Sequence, residues 1–167
     1  MIPKQTQRLQ FRRLTQQDRQ FIFRLYSSEA FIRYIGDRGI KNEQDADKFI
    51  QDNLLPLYES PGMGLFAVEH QGEAIGICGL LQRDNLPHPD IGYGYLNRFT
   101  GQGFAYEAAK ATIDFAENEL EVSTLLATTT FDNQASIQLL NKLGFHFVKK
   151  QPQTEQQPVT HLYKREK

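Results

Sequence analysis

Between Arg8 and Leu14 the chain alternates, with Leu9 and Phe11 set among polar neighbours, which predicts a first strand. Thr15 then offers an N-cap with Asp18 at the third helical position, a variant of the capping box, so a helix is predicted to about Ser27. Asn42 is a second N-cap, with Glu43 and Asp45 in the first turn, where acids suit the helix dipole. Ala46, Phe49, Ile50 and Leu54 share one helical face, and Pro56 ends or kinks that helix. The period then changes. Leu65, Phe66, Ala67 and Val68 are apolar on both faces, the pattern of a buried strand. His70-Gln71-Gly72-Glu73 is a tight-turn signal, so the strand predicted over 74–81 returns as a hairpin.

Residues 83–89 read as a polar, proline-containing loop, and 90–96 as another strand. In that strand Gly92 and Gly94 lie on one face, and Ile91, Tyr93 and Tyr95 on the other; two glycines on one face imply that something approaches closely. A long helix is predicted over 104–120, with Ala105, Ala108, Ala109, Ala116 and Leu120 on one side. A strand at 123–131 leads to Asp132 or Asn133 as the cap of a short helix, with Gly144 as its αL terminator. Residues 145–149 and 160–164 read as closing strands, joined by a Gln- and Pro-rich surface loop over 150–158. The order, βααββ followed by βαβαββ, describes a mixed α/β sheet in a single domain spanning 1–167.

Composition narrows the function classes. A chain of 167 residues fits one domain, and at this size about 70% of the unfolded surface is hidden, so a core forms without disulfides. Nineteen Lys and Arg against twenty Asp and Glu give a net charge of −1, which argues against nucleic acid as the main partner. Arg8, Arg12, Arg13 and the basic tail read as solvated positions. The single cysteine, Cys78, lies in an apolar run and reads as a small buried hydrophobe in a reducing compartment. No apolar stretch approaches a membrane span or signal-peptide core, and a cytoplasmic protein is expected. The four histidines lack metal-ligand spacing, so no metal is expected.

The chemically informative stretch runs from Tyr93 to Ala108: a strand, a turn containing Gly101 and Gly103, then a helix start. Such a turn points backbone N–H groups outward at the positive end of a helix, where a pyrophosphate fits. It is neither a Walker loop nor a dinucleotide fingerprint, because the residues that follow and the glycine spacing differ. Read alone, it is equally a βα turn in which glycine permits tight packing.

Three segments together carry a resemblance. Thr100-Gly101-Gln102-Gly103-Phe104-Ala105, followed by Glu107-Ala108, resembles the acyl-CoA pyrophosphate loop of GNAT acetyltransferases. Asn133-Gln134-Ala135-Ser136, followed by a helix and Gly144-Phe145, resembles the second motif of that superfamily. The stretch from Gln7 to Asp18 looks like the opening strand and helix of the RimJ/RimL-type branch. Thr100 and Asn97 depart from the usual pattern, which often has Arg, Gln or Trp at the first position and proline at the second.

The resemblance implies a mixed, mostly antiparallel twisted sheet of about seven strands with about four helices, splayed between strands 4 and 5. It implies acetyl-CoA as co-substrate and direct acetyl transfer to a primary amine, either a protein N-terminus or a small molecule. Loop residues 100–105 would bind the cofactor, and the backbone of Tyr95, Leu96 and Asn97 would bond the pantetheine arm and supply an oxyanion donor. Asn133 would also contact the pantetheine. Ser136 would sit near the sulfur and protonate the departing thiolate, although a hydroxyl there also serves as a helix cap.

The general base is open. Asp90 is the best-placed carboxylate, Glu29 and Asp37 are others, and a water relay would also serve. Tyr34, Tyr93 and Tyr95 are candidates to line the acceptor pocket, and Tyr93 and Tyr95 equally fit the core. A homodimer is implied by resemblance alone. The competing function is a non-catalytic acyl-CoA-binding or sensing module.

Overall fold

The computed structural model describes residues 1–155 and 158–167. Seven strands form one sheet in the order β1-β2-β3-β4-β5-β7-β6: β1 (Gln10–Arg13), β2 (Gly64–His70), β3 (Glu73–Leu81), β4 (Asp90–Tyr95), β5 (Thr124–Thr129), β6 (His146–Gln151) and β7 (Thr160–Glu166). Among the described residues five α-helices accompany them: α1 (Arg19–Tyr26), α2 (Glu29–Tyr34), α3 (Glu43–Phe49), α4 (Phe104–Asn118) and α5 (Gln134–Lys142). The expected loop over 150–158 includes residues 156 and 157, which lie outside the described residues.

Local chemistry explains most boundaries. Asp18 accepts the Thr15 backbone N–H at 2.9 Å while Thr15 Oγ1 accepts the Gln17 N–H at 3.2 Å, so the expected capping box forms. It opens a short 3-10 turn that continues into α1. Asn42 caps α3 through the Asp45 N–H at 2.8 Å. The chain beyond α3 does not stop at Pro56. It loosens into a π turn over Ile50–Leu54 and tightens into a 3-10 turn over Leu55–Glu59, whose first turn holds the proline. The β2–β3 hairpin pairs His70 with Glu73 across Gln71 and Gly72, both at positive φ (52° and 80°), as a type I′ turn requires.

One helix was not predicted. α2 is a six-residue segment capped by Ser28, whose hydroxyl accepts the Phe31 N–H at 3.3 Å. Six residues are too few to show a helical period, although Ser28 followed by Glu29 is a legible start signal.

The sheet is covered on both faces. The α4 and α5 side buries Phe66, Ile91, Phe104, Ile113, Leu140 and Phe145 in one cluster. The α1–α3 side buries Leu14, Ile22, Leu25, Ile50, Leu65 and Ile77 in another. Gly94 faces α2: a Cβ there would lie 3.2 Å from the Phe31 ring, so the close approach implied by its glycine is helix packing. Cys78 is fully buried against the α4 hydroxyl of Thr112 at 3.3 Å. Burial pushes its thiol up to about 12, so it is not a thiolate at neutral pH. Among the described residues no helix is long and apolar enough to cross a membrane.

Every adjacent strand pair is antiparallel except β4 and β5. Those two run parallel and share one ladder position, Asp90 with Leu126. The expected splay is therefore present, and the rest of β4 pairs with β3 alone.

Asp18 ties this scaffold together, because Arg12 of β1 grips its carboxylate with both Nη atoms at 2.9 and 2.8 Å while reaching Glu69 of β2 at 3.1 Å. Burial raises the Asp18 pKa, but the Arg12 and Thr15 hydrogen bonds outweigh it and the net shift is downward. A carboxylate with a depressed pKa stabilises the fold above its unfolded value and loses that contribution as pH falls through the folded value. Asp18→Asn is therefore expected to cost about 1–2 kcal/mol in urea unfolding at pH 7. The difference from the native chain should shrink below about pH 4, near the unfolded carboxylate value.

Candidate active site

The turn between β4 and α4 is built from its own backbone. A 3-10 turn over Asn97–Phe99 brings the Asn97 carbonyl to accept both the Thr100 N–H at 3.2 Å and the Thr100 hydroxyl at 2.7 Å. Gln102 Nε2 donates to the Arg98 carbonyl at 3.0 Å. The side chains of Thr100 and Gln102 thus brace the loop. Gly101 (φ 75°) and Gly103 (φ 83°) are left-handed, and a Cβ on Gly101 would meet nothing within 4 Å, so the loop is open there.

Gly103 is the N-cap of the 15-residue helix α4, and no side chain caps that end. The first-turn amides are thus left to a ligand or to water, the arrangement that receives anions at helix N-termini. Phe104 is buried, so what it offers a ligand is its backbone N–H.

The loop is clamped from the N-terminal segment. Arg8 Nε meets Glu107 Oε2 at 2.7 Å, the Arg8 backbone N–H donates to Glu107 Oε1 at 2.9 Å, and Arg8 Nη1 reaches the Gln102 carbonyl at 3.1 Å. The same guanidinium lies 4.4 Å from the centre of the Phe104 ring, which His70 contacts from 4.7 Å. Arg8 reads in the sequence as a solvated strand position; its partner stands 99 residues away, beyond the reach of local pattern.

Beside the loop, β4 faces the gap to β5. In an antiparallel pair successive backbone groups point to opposite sides. The Leu96 N–H donates to Ile75 of β3 at 2.9 Å, so it is not directed at the gap. Alternation sends the N–H and carbonyl groups of Tyr93 and Tyr95 there instead. Of the three residues expected to present backbone to a ligand, Tyr95 fits that role and the Leu96 N–H does not.

Across the gap, Asn133 caps α5 by accepting the Ser136 N–H at 3.2 Å. Ser136 is 8% exposed, and its hydroxyl lies 2.7 Å from the Tyr93 hydroxyl. Burial, more than the Ser136 bond offsets, raises the Tyr93 phenol to about 12, so it is a neutral group with a proton to give at pH 7. The partners are 43 positions apart, and nothing local in the sequence announces the pair.

Ser136 and Tyr93 border a cavity of about 510 Å³, which also reaches Tyr34, Asn133 and Asp90. Asp90 is 1% exposed and accepts Arg83 Nε at 3.1 and 3.2 Å. Burial raises its pKa and Arg83 only partly counters it. Asp90 is the one carboxylate among the described residues bordering the cavity. Asp37 accepts the Gly39 N–H at 2.7 Å, and Glu29 occupies the first turn of α2. Tyr95 packs over Gly76 on the sheet, away from the cavity wall. No cluster of metal-binding side chains occurs among the described residues.

Comparison with known proteins agrees with this geometry. The profile described as an acetyltransferase (GNAT) domain matches residues 8–146. The protein belongs to the GNAT acetyltransferase family. It is 30% identical over 146 residues to the uncharacterized N-acetyltransferase YoaA of Bacillus subtilis (strain 168), covering 84% of this chain and 81% of that one. It is 29% identical over 149 residues to YkkB of the same organism, covering 86% and 85%. In fold it is similar to RimL, a ribosomal L7/L12 α-N-protein acetyltransferase solved in complex with coenzyme A, with a TM-score of 0.82 at 17% identity over 96% of this chain and 95% of that one.

The clamp on the loop is testable without any ligand. Arg8→Ala removes charge-assisted bonds worth roughly 1–2 kcal/mol after allowance for partial exposure. Amide exchange at 102–104 should accelerate about tenfold, with little change at β3 and β5. Uniform acceleration across the sheet would instead make Arg8 a global stabiliser.

Proposed function

We propose that the protein transfers an acetyl group from acetyl-CoA to a primary amine, by direct attack with both substrates bound. The carrying observation is the Ser136–Tyr93 hydroxyl pair, at 2.7 Å, set on the wall of the cavity that the buried carboxylate Asp90 also borders. Acetyl-CoA supplies the activated thioester, and the chain's residues supply position and protons. The residues present fit it: Gly101 is open, Gly103 is left-handed, and α4 begins without a side-chain cap.

In this reading the loop backbone from Thr100 to Ala105 holds the pyrophosphate, and Asn133 and the gap-facing backbone of Tyr95 hold the pantetheine arm. The Tyr95 N–H is the proposed donor to developing negative charge on the carbonyl oxygen. Ser136 donates its proton to the departing sulfur as it receives one from the Tyr93 phenol, and Tyr93 is reprotonated in turn from cavity water, so the proton the amine gives to Asp90 balances the one the thiolate gains. Asp90 accepts the proton of the attacking amine, directly or through cavity water; its raised pKa suits a base better than an ordinary surface carboxylate would. The RimJ/RimL-type branch is proposed from the opening segment at 7–18 and the likeness in fold to RimL. Both a protein N-terminus and a small amine fit the family, because the fold does not select the acceptor.

Thiol release from acetyl-CoA, screened over α-amino peptides, amino acids, polyamines and aminoglycosides, tests the proposal. Ser136→Ala should lower kcat at least tenfold with acetyl-CoA binding within about twofold, and Tyr93→Phe should lower kcat by a smaller factor. Saturable CoA binding with no release for any acceptor would favour the non-catalytic sensing module.

A further inference from the structure

Three cations stand over aromatic rings around the turn that opens α4. Arg8 lies 4.4 Å from the centre of the Phe104 ring, Arg98 4.6 Å from that of Phe99, and Lys142 5.2 Å from that of Tyr106. The first two charges are already answered, Arg8 by Glu107 at 2.7 Å and Arg98 by Glu73. Their rings belong to the fold, since Phe104 is buried and Phe99 packs against the same core cluster. The third pair differs in both members. Tyr106 keeps its ring at the surface, 36% exposed, in the first turn of α4. Lys142 is exposed in the last turn of α5, and among the described residues no carboxylate pairs with its ammonium. Lys110, the next cation along α4, is taken up by Asp114 at 2.9 Å.

A lysine in a last helical turn suits the helix dipole wherever its side chain points. The dipole does not require the ammonium to cross to a ring on another helix, and that contact fixes where the charge stands. It stands beside the loop proposed to hold the pyrophosphate, because Tyr106 follows Phe104 by two residues. Coenzyme A extends from its pyrophosphate in two directions. The pantetheine arm is accounted for by the β4–β5 gap and Ser136; the adenosine, with a phosphate on its 3′-oxygen, is not. Adenine presents a flat π-face that stacks on an exposed aromatic ring. A phosphate monoester is largely dianionic at neutral pH and seeks a cation that no carboxylate already holds.

We infer that Tyr106 and Lys142 form the seat for the adenosine 3′-phosphate end of coenzyme A, the ring against the adenine and the ammonium against the 3′-phosphate. The inference rests on the reading that places coenzyme A on the α4 loop and extends it beyond the pyrophosphate. The seat draws on two helices, so recognition of the cofactor depends on α5 as well as on the loop backbone. Backbone N–H groups hold any pyrophosphate alike, whereas Lys142 distinguishes a ligand that carries the 3′-phosphate from one that lacks it.

Calorimetric titration with coenzyme A and with 3′-dephospho-coenzyme A reads the seat without any turnover. Coenzyme A should bind about tenfold more tightly at low ionic strength, and the ratio should narrow as salt rises, as it does for an exposed charge pair. Lys142→Gln should bring the ratio within about threefold by weakening coenzyme A, while Lys142→Arg, which restores the charge, should keep most of the preference. Tyr106→Ala should weaken both ligands by about fivefold or more, because both carry the adenine. A merely structural Lys142 would instead move both ligands together and lower the urea midpoint.

Equal affinity for the two ligands, or a preference that Lys142→Gln leaves intact, would overturn the inference and leave acetyl transfer standing. Unchanged affinities in Tyr106→Ala would overturn the adenine contact. A preference for coenzyme A that is lost in Lys142→Gln supports the inference, and it does so even where no acceptor gives thiol release, a result that counts against acetyl transfer alone. Absence of binding by either ligand would overturn both readings together.

Discussion

β4 and β5 lie side by side yet share only the Asp90–Leu126 position, and the remainder of the structure is arranged around that separation. Strand backbone that leaves a ladder keeps its N–H and C=O groups, which must bond elsewhere or be solvated. Here one edge of β4 remains locked to β3 from Asp90 to Tyr95, so the strand cannot relax away. Its other edge faces a gap closed at the Asp90–Leu126 pairing and flanked at its open end by the α4 loop, which follows β4, and the α5 cap, which follows β5. A gap of this kind is unfavourable in a packed core and useful only as a binding surface for an extended chain with hydrogen-bonding groups. The pantetheine arm of coenzyme A is such a chain.

The rest of the scaffold holds that gap open at fixed width. On one face the loop leading to α4 is fastened by Arg8, Glu107 and the Gln102 carbonyl. On the other, Phe31 packs against the bare backbone of Gly94, where no side chain could stand without displacing the ring. The Tyr93 hydroxyl crosses the gap to Ser136 and joins the β4 side to the α5 side at the place where chemistry is proposed. Rigid placement of a few polar groups matters more than their number, since misplacement by about 1 Å can cost a hundredfold in rate.

Legibility in the sequence follows the range of the interaction. The capping box at Thr15 and Asp18, the Gln71-Gly72 hairpin and the left-handed Gly144 all rest on contacts within a few residues, and each appears where the pattern places it. The glycine loop and the Asn133 cap were likewise visible as local motifs, and the family resemblance they carry, rather than the pattern itself, implied the splay between strands 4 and 5. What was not legible is non-local or short. α2 is too brief for periodicity, and the roles of Arg8 and Tyr93 depend on partners 99 and 43 positions away. Strand alternation placed Tyr93 on the face opposite Gly92 and Gly94 but could not say what it meets. The engagement of the Leu96 N–H by Ile75 follows from the β3–β4 register, which hydrophobic pattern alone does not set.

The central claim is that coenzyme A occupies the β4–β5 gap with its pyrophosphate on the α4 loop, and a crystal structure of the protein with coenzyme A tests it most directly. The account predicts pyrophosphate oxygens within hydrogen-bonding distance of the backbone N–H groups at 102–105, and the sulfur beside Ser136. Coenzyme A bound elsewhere, or an extended arm lying outside the β4–β5 gap, would contradict it.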